Sequence, residues 1–328
     1  MINHRTLGRT GLRISELSLG GLFVSAIGGE FEQSQAAVQR ALALGVNYID
    51  TAPGYYNSEE VLGKILRDVK QPLILSTKLG GRPQPFDPRD ISRLRQSVEE
   101  SLRLLGRDQI DVLMVHEPDR PGQYDWWSDP AKVYGPVVDL LDQLKSEKII
   151  RFTGIGGTTA YELARIARSN RFDVVLTAFN YSLLWREAEI EIFPAAIERN
   201  MGIVIGSPLQ QGALAVRRDE EVNHGAPWLS LPRRRQYQAL YRYLDEINLP
   251  LAEAGIRFVL SNPNISCVLM GARSAGEVEQ NVAAAQKGPL PRDVLNRLNE
   301  IAAMVPFRPY EEPFWMPFSR EYWGPGGA

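Results

Sequence analysis

Among 328 residues the chain carries one cysteine, Cys267, and three histidines. One cysteine excludes an internal disulfide and any cysteine-built zinc site, and it fits a reducing, cytoplasmic setting. An excess of one charge is missing too, since 37 Lys+Arg against 39 Asp+Glu leave a net charge of −2. That balance offers no basic footprint, so nucleic acid is not expected as a partner. No run approaches the ~18 apolar residues of a membrane span. The opening stretch MINHRTLGRTGL has no apolar core and no cleavage-like site, so no secretory signal is expected. Long linkers and low-complexity tracts are absent. Hydrophobic residues at 44% and charged residues at 23% then leave an ordinary globular protein, not a disordered or fibrous one.

What is present is an alternation. Short apolar, β-branched runs occupy 17–21, 46–50, 73–78, 110–116, 149–154, 173–177, 202–207 and 266–271. Near-continuous apolar strands are the pattern of a parallel sheet covered on both faces. Amphipathic stretches lie between them at 34–44, 58–69, 88–105, 131–146, 161–169, 187–200 and 275–285, with caps expected at Ser34, Ser58 and Asp87. Eight strands at ~40 residues per unit predict an α/β fold, a (β/α)8 barrel of the TIM type. The competing doubly wound fold needs a Gly-rich loop after its first strand. Here that position reads GGLFVSAIGG, and the pair Gly154 and Gly156 sits mid-chain with Thr159 where the third glycine belongs. A single domain over 1–328 is expected: a β-hairpin cap at 5–15, the barrel at 16–286, and a C-terminal helix and aromatic tail at 287–328. The Gly- and Pro-rich stretch 211–232 reads as a lid over the top face.

Catalytic groups of such barrels sit at the C-terminal strand ends. The second strand ends at Asp50 and is followed by Thr51-Ala52-Pro53-Gly54-Tyr55-Tyr56; the third ends at Lys78 and the fourth at His116. Singly, each has a bland reading: a loop cap, a surface lysine, a satisfied core histidine. Together at one edge they form a proton-handling set. A phenol titrates near ~10, and an adjacent ammonium lowers that value. A carboxylate orients the ammonium, and a neutral histidine holds a substrate oxygen.

These segments resemble the aldo-keto reductase family. LGRTGLRISELSLGG is similar to its opening, NYIDTAPGYYNSEEVLGKIL to its strand-two signature, and ILSTKLG and DVLMVHEPD to its lysine and histidine segments. IIRFTGIGG, GIVIGSPLQQGAL and VLMGARSAGEVEQN resemble its cofactor side. The resemblance implies a catalytic tetrad at Asp50, Tyr55, Lys78 and His116, and closeness to the sugar-dehydrogenase branch (L-galactose, L-fucose and D-threo-aldose dehydrogenases). It also implies a nicotinamide cofactor extended across the barrel mouth, held by Gly21, Gly156, Gly157, Asn180, Ser207, Leu209, Gly212, Gly271, Arg273, Ser274, Glu277 and Asn281.

Two departures stand out. Where the family often has Ser-Asn, the chain has Gly156 and Gly157, and Gly206 replaces the aromatic that often supports the nicotinamide ring. Phe179, Asn180 or Tyr181 could stand in. Arg273 and Ser274 are expected to hold a 2′-phosphate at a helix N-terminus, against the repulsion of Glu277, so NADP(H) is favoured over NAD(H). An aromatic rim of Tyr56, Trp126, Trp127, Trp185 and Trp228 is expected to take the substrate, with Asn57, Asp119 and His224 as hydrogen-bonding candidates. The expected activity is hydride transfer between NAD(P)(H) and a sugar or sugar aldehyde. The alternatives are a pyridoxal or general aldehyde reductase, and a cofactor-sensing barrel with little turnover. No metal site is expected, and monomer or homo-oligomer is left open.

Overall fold

A computed structural model of the protein describes residues 2–120 and 123–307. The expected tail beyond Phe307 lies outside these residues. An antiparallel pair, β1 (His4–Thr6) and β2 (Arg13–Ser15), precedes the barrel. Eight parallel strands then close on themselves: β3 (Leu17–Gly20), β4 (Tyr48–Asp50), β5 (Ile74–Leu79), β6 (Ile110–His116), β7 (Ile150–Gly157), β8 (Val174–Ala178), β9 (Gly202–Gly206) and β10 (Cys267–Met270). Pairing of β10 with β3, Val268 opposite Leu17, shuts the barrel.

The helices run α1 (Phe31–Ala43), α2 (Ser58–Leu66), α3 (Ile91–Leu105), α4 (Pro136–Ser146), α5 (Ala160–Arg168), α6 (Glu187–Ile190), α7 (Ile192–Glu198), α8 (Asp219–His224), α9 (Leu231–Glu246), α10 (Leu251–Leu260), α11 (Ala275–Gln286) and α12 (Arg292–Ala303). The expected single helix over 187–200 is broken at Glu191. Pro194 lacks an N–H and its ring clashes with the carbonyl of residue 190, which ends α6 there. All three expected caps shift: α1 starts after Glu30, α2 after Asn57, and α3 after Asp90, whose carboxylate accepts the N–H groups of Ser92 and Arg93. The expected lid holds α8 and the start of α9, pinned by Trp228 Nε1 to Glu221 Oε2 at 2.6 Å and Arg234 Nε to the Val222 carbonyl at 2.9 Å.

The β1–β2 hairpin plugs the barrel bottom. Leu7, Leu12 and Ile14 join Tyr48, Val112, Met114, Val174, Val204 and Cys267 in one interior cluster. The approach is close enough to need glycine on both sides: a Cβ on Gly8 would stand 2.2 Å from the Gly202 nitrogen, and one on Gly202 would stand 2.5 Å from Leu7 Cδ1. The chain therefore presents its chemistry at the opposite, open face. Among the described residues no helix is long and apolar enough to cross a membrane.

Candidate active site

Asp50 closes β4, His116 closes β6, and Lys78 is the penultimate residue of β5 between them. All three side chains are buried. Alternation along a strand sends such residues into the barrel when their neighbours pack outward. Lys78 Nζ donates to Asp50 Oδ2 at 2.6 Å and to the Thr51 carbonyl at 2.8 Å. Asp50 Oδ1 accepts from Ser76 Oγ at 2.5 Å, and Ser76 Oγ accepts from Tyr48 at 2.8 Å. This chain of donors fixes the carboxylate, and the carboxylate fixes the ammonium.

Tyr55 arrives on the loop after β4. Lys78 Nζ lies 4.7 Å from its ring centroid, and the ring meets that of His116 edge-on at 5.8 Å. The structure thus brings the four expected residues together. Burial, with the charges of Asp50 and Glu117, holds the Tyr55 phenol well above its ordinary range. The sign is opposite to that expected from a neighbouring ammonium alone, because burial and the two carboxylates act the other way. His116 is pushed well below the ordinary imidazole range by burial, then by Lys78 and Arg120, so it is neutral at pH 7. Neither His116 nitrogen has a partner among the described residues. A buried neutral imidazole with both nitrogens unpaired is fitted to an oxygen that arrives with a ligand.

The expected cofactor residues divide. Gly21 is needed for contact: a Cβ there would stand 2.8 Å from the Asp50 carbonyl oxygen and 2.9 Å from Ser58 Oγ. A Cβ on Gly156 would be in ordinary contact, 3.5 Å from Lys78 Cε and 3.8 Å from Met114 Sδ. Gly157 has no room for one, since Asp119 Oδ1 would be 2.1 Å from a Cβ there. A Ser or Asn side chain at that position is therefore excluded by Asp119. Asn180 is buried and donates to Thr177 Oγ1 at 2.8 Å. Phe179 and Tyr181 are buried, and Tyr181 packs edge-on against Phe193.

After β9, Ser207, Gln210, Gln211 and Gly212 take positive φ, and the loop is closed on itself by the Gln210 and Gly212 N–H groups, which donate to the Ser207 and Leu209 carbonyls at 3.0 Å each. Leu209 packs against α10, since a Cβ on Gly255 would meet its Cδ2 at 2.6 Å. At the far end a Cβ on Gly271 would stand 2.8 Å from the Phe23 ring, and Asn281 Nδ2 lies 3.9 Å from Met270 Sδ. Ser274 caps α11 by accepting the Glu277 N–H at 3.2 Å. Glu277 in turn accepts the Arg273 backbone N–H at 2.8 Å and its guanidinium at 3.2 Å.

The expected aromatic rim is corrected for three residues. Trp126, Trp127 and Trp185 are buried. Trp126 Nε1 donates to the His116 carbonyl at 3.1 Å and Trp127 Nε1 to the Pro118 carbonyl at 3.3 Å, so both indoles brace the β6 loop from behind. Trp228 is half-buried against Tyr237 within the lid segment. Only Tyr56 among the five is exposed, with a positive φ of 51°. Asn57 Oδ1 accepts the Ala26 N–H at 2.9 Å, and exposed His224 faces Glu220.

Residues the sequence reading passed over also stand here. Tyr124 and Phe86 meet edge-on at 4.8 Å, and the Tyr124 hydroxyl lies 3.7 Å from the Cβ position of Gly81, beside the tetrad's loops. Glu117 and Thr158 border His116 and the glycine pair. Their signal, a Glu directly after the candidate histidine, was in the sequence as HEPD. Among the described residues no group of three or more His, Cys, Asp or Glu is arranged to hold a metal.

A closed eight-stranded parallel barrel with lysine, carboxylate, tyrosine and histidine at its C-terminal mouth defines a barrel oxidoreductase site. Comparison with known proteins sharpens this. Residues 18–303 match the model of the aldo/keto reductase family, and the chain belongs to that family. It is an NAD(P)(H)-dependent oxidoreductase. It is 30% identical to an L-galactose dehydrogenase of Arabidopsis thaliana, over 86% of this chain and 88% of that one. It is also 30% identical to a pyridoxal 4-dehydrogenase of Microbacterium luteolum, over 85% and 91%. An aldo-keto reductase of Bacillus halodurans, solved in its holo form, superposes with a TM-score of 0.76 at 25% identity, covering 94% of this chain and 99% of that one.

Proposed function

We propose that the chain interconverts a hydroxylated carbonyl, a sugar aldehyde or lactol, and its reduced or oxidised partner, with Asp50, Tyr55, Lys78 and His116 as the reacting set. The observation that carries this is the Lys78–Asp50 ion pair at 2.6 Å set against the Tyr55 ring, beside a histidine with two unpaired nitrogens. A bound nicotinamide dinucleotide supplies or accepts the hydride. In reduction, His116 donates a hydrogen bond to the substrate carbonyl oxygen and Tyr55 gives it a proton. The raised phenol pKa keeps that proton in place until the oxygen needs it. The phenolate left behind faces the Lys78 ammonium, which Asp50 keeps oriented. In oxidation the same phenolate takes the hydroxyl proton back. Gly21, Gly156, the loop from Ser207 to Gly212 and the N-terminus of α11 would hold the dinucleotide. The lack of a side chain at Gly156, beside Lys78 Cε, fits such a ligand.

The adenosine end supports NAD(H) rather than the NADP(H) expected from the sequence. Arg273 gives its backbone N–H and one guanidinium N–H to Glu277, and Ser274 Oγ accepts the Glu277 N–H, so the carboxylate of Glu277 stands with them at the N-terminus of α11. A ribose hydroxyl can donate to that carboxylate, whereas a 2′-phosphate would be repelled. The name of the L-galactose dehydrogenase among the relatives supports the substrate class. Nicotinamide absorbance followed with sugar aldehydes, lactols and plain aldehydes tests the reading. Turnover of hydroxylated carbonyls is expected. Cofactor binding without turnover on any of them would contradict it and favour a cofactor-sensing barrel.

A further inference from the structure

The loop after β9 holds a shape that most side chains avoid. Ser207, Gln210 and Gln211 each sit at a φ of 51°. Residues with a Cβ seldom adopt this left-handed conformation, and they persist in it only where the surroundings over-determine it. Here the constraint comes from outside the loop. The Gln210 side chain is fully buried, and both ends of its amide are engaged. Nε2 donates to Ser182 Oγ at 2.9 Å, and Oε1 accepts from the Tyr237 hydroxyl at 3.2 Å. Ser182 stands in the loop after β8, where its Oγ also accepts the Trp185 N–H at 3.1 Å.

Tyr237 belongs to α9, and α9 is a firm support. Its neighbour Gln236 donates from Nε2 to the Ile301 and Ala302 carbonyls at 2.9 Å each, which ties α9 to α12. The Tyr237 ring meets Trp228 edge-on at 6.0 Å and Tyr241 at 5.8 Å. Trp228 is the residue bonded to Glu221 within the lid segment. The Gln210 amide therefore joins the loop after β8, the loop after β9 and the helix that carries the lid. On its other side the β9 loop is held by Leu209 against α10, an apolar contact without direction. A buried amide paired at both ends is directional, and removing one partner leaves the other unpaired in a dry place.

We propose that Gln210 is a positioning residue for the dinucleotide: anchored by Tyr237 and Ser182, it holds the 207–212 loop in its binding shape and links that loop to the lid through α9. Fully buried, it acts through the backbone it holds. This rests on the reading above that the loop receives the cofactor.

The test measures NADH affinity by fluorescence titration in wild type, Tyr237→Phe, Gln210→Met and the double variant. Hydrogen exchange over 207–216 and over α9 is read with and without NADH. Tyr237→Phe keeps the ring and takes the donor from Gln210 Oε1. NADH affinity is expected to fall about 10-fold, the scale of one buried acceptor left unpaired. The double variant is expected to lose no more than Gln210→Met alone, because the two side chains act through one bond. In wild type, NADH is expected to slow exchange in both segments; in Tyr237→Phe, in the loop alone. Tyr237→Phe differs by a single hydroxyl and carries the test should Gln210→Met fail to fold. An affinity in Tyr237→Phe within about twofold of wild type, or additive losses in the double variant, would overturn the proposal. So would protection of α9 by NADH that survives Tyr237→Phe, which would reduce the network to a structural one. A wild type that binds neither NADH nor NADPH would contradict the cofactor reading itself, and the proposal with it.

Discussion

At the scale of single residues, burial decides the signs. Lys78 and Asp50 were visible as strand-end residues, yet the phenol they face is raised rather than lowered because desolvation outweighs the ammonium. No local pattern in the sequence carries that information, since it depends on what closes over the residue. Glu117 makes the same point with a measurable consequence. Burial first, then Asp119, raises its carboxyl from near 4.5 to about 8. The folded chain thus holds a proton across that interval that the unfolded chain has released. Stability from this group is fully present below about pH 4.5 and is lost as pH rises through about 8. Glu117→Gln abolishes the effect. Thermal unfolding of the two proteins between pH 5 and 9 is expected to show the variant gaining on wild type as pH rises, by a few kcal/mol at the alkaline end at roughly 1.4 kcal/mol per pKa unit. A constant difference across that range would mean the carboxyl is hydrated.

At the scale of elements, the strands were legible and some helix ends were not. Apolar β-branched runs marked all eight barrel strands to within a few residues, because a strand covered on both faces has no polar side to confuse the pattern. The break at Glu191 and the helices α8 to α10 were missed, the first because Pro194 acts four residues upstream, and α9 because its polar, arginine-rich first turns read as loop. The tryptophans misled for a related reason: an indole beside a strand end looks the same in sequence whether it faces the mouth or braces the loop. The N-terminus of α11 carries a prediction of its own. Glu277→Gln removes the carboxylate that Arg273 now holds and frees its guanidinium. NADPH affinity is expected to rise by roughly 10-fold, the scale of one charge-assisted hydrogen bond, with NADH affinity equal or lower. Unchanged affinities for both cofactors would place this segment outside the cofactor site.

At the scale of the whole molecule, the two ends of the barrel divide the labour. The hairpin closes the bottom, and Arg5 ties it there with hydrogen bonds to Glu16 and to the carbonyls of Leu260, Asn262 and Ile265. The chemistry collects at the mouth, on the opposite strand ends. Arg5→Ala is expected to cost about 1.5–3 kcal/mol of stability, seen as a lower Tm, while kcat and KM stay unchanged. A large loss of kcat in that variant would show that the bottom face shapes the active site. The architecture and Asp50, Lys78 and His116 could be read from the strand ends, whereas the choice of Tyr55 over Tyr56 came from the family resemblance. The loops beside the mouth could not, since Tyr124 and Phe86 come together only through segments of irregular length.

The most direct measurement is the turnover of Tyr55→Phe and Tyr56→Phe beside their cofactor affinities. Tyr55→Phe keeps the ring and removes the proton. Its kcat is expected to fall by at least ~10²-fold, the scale of general acid–base catalysis, with NADH binding essentially unchanged. Tyr56, exposed on the rim, should tolerate the same change with kcat near wild type. Full turnover in Tyr55→Phe, or its loss in Tyr56→Phe alone, would contradict the assignment of the proton donor and with it the mechanism built around Lys78, Asp50 and His116.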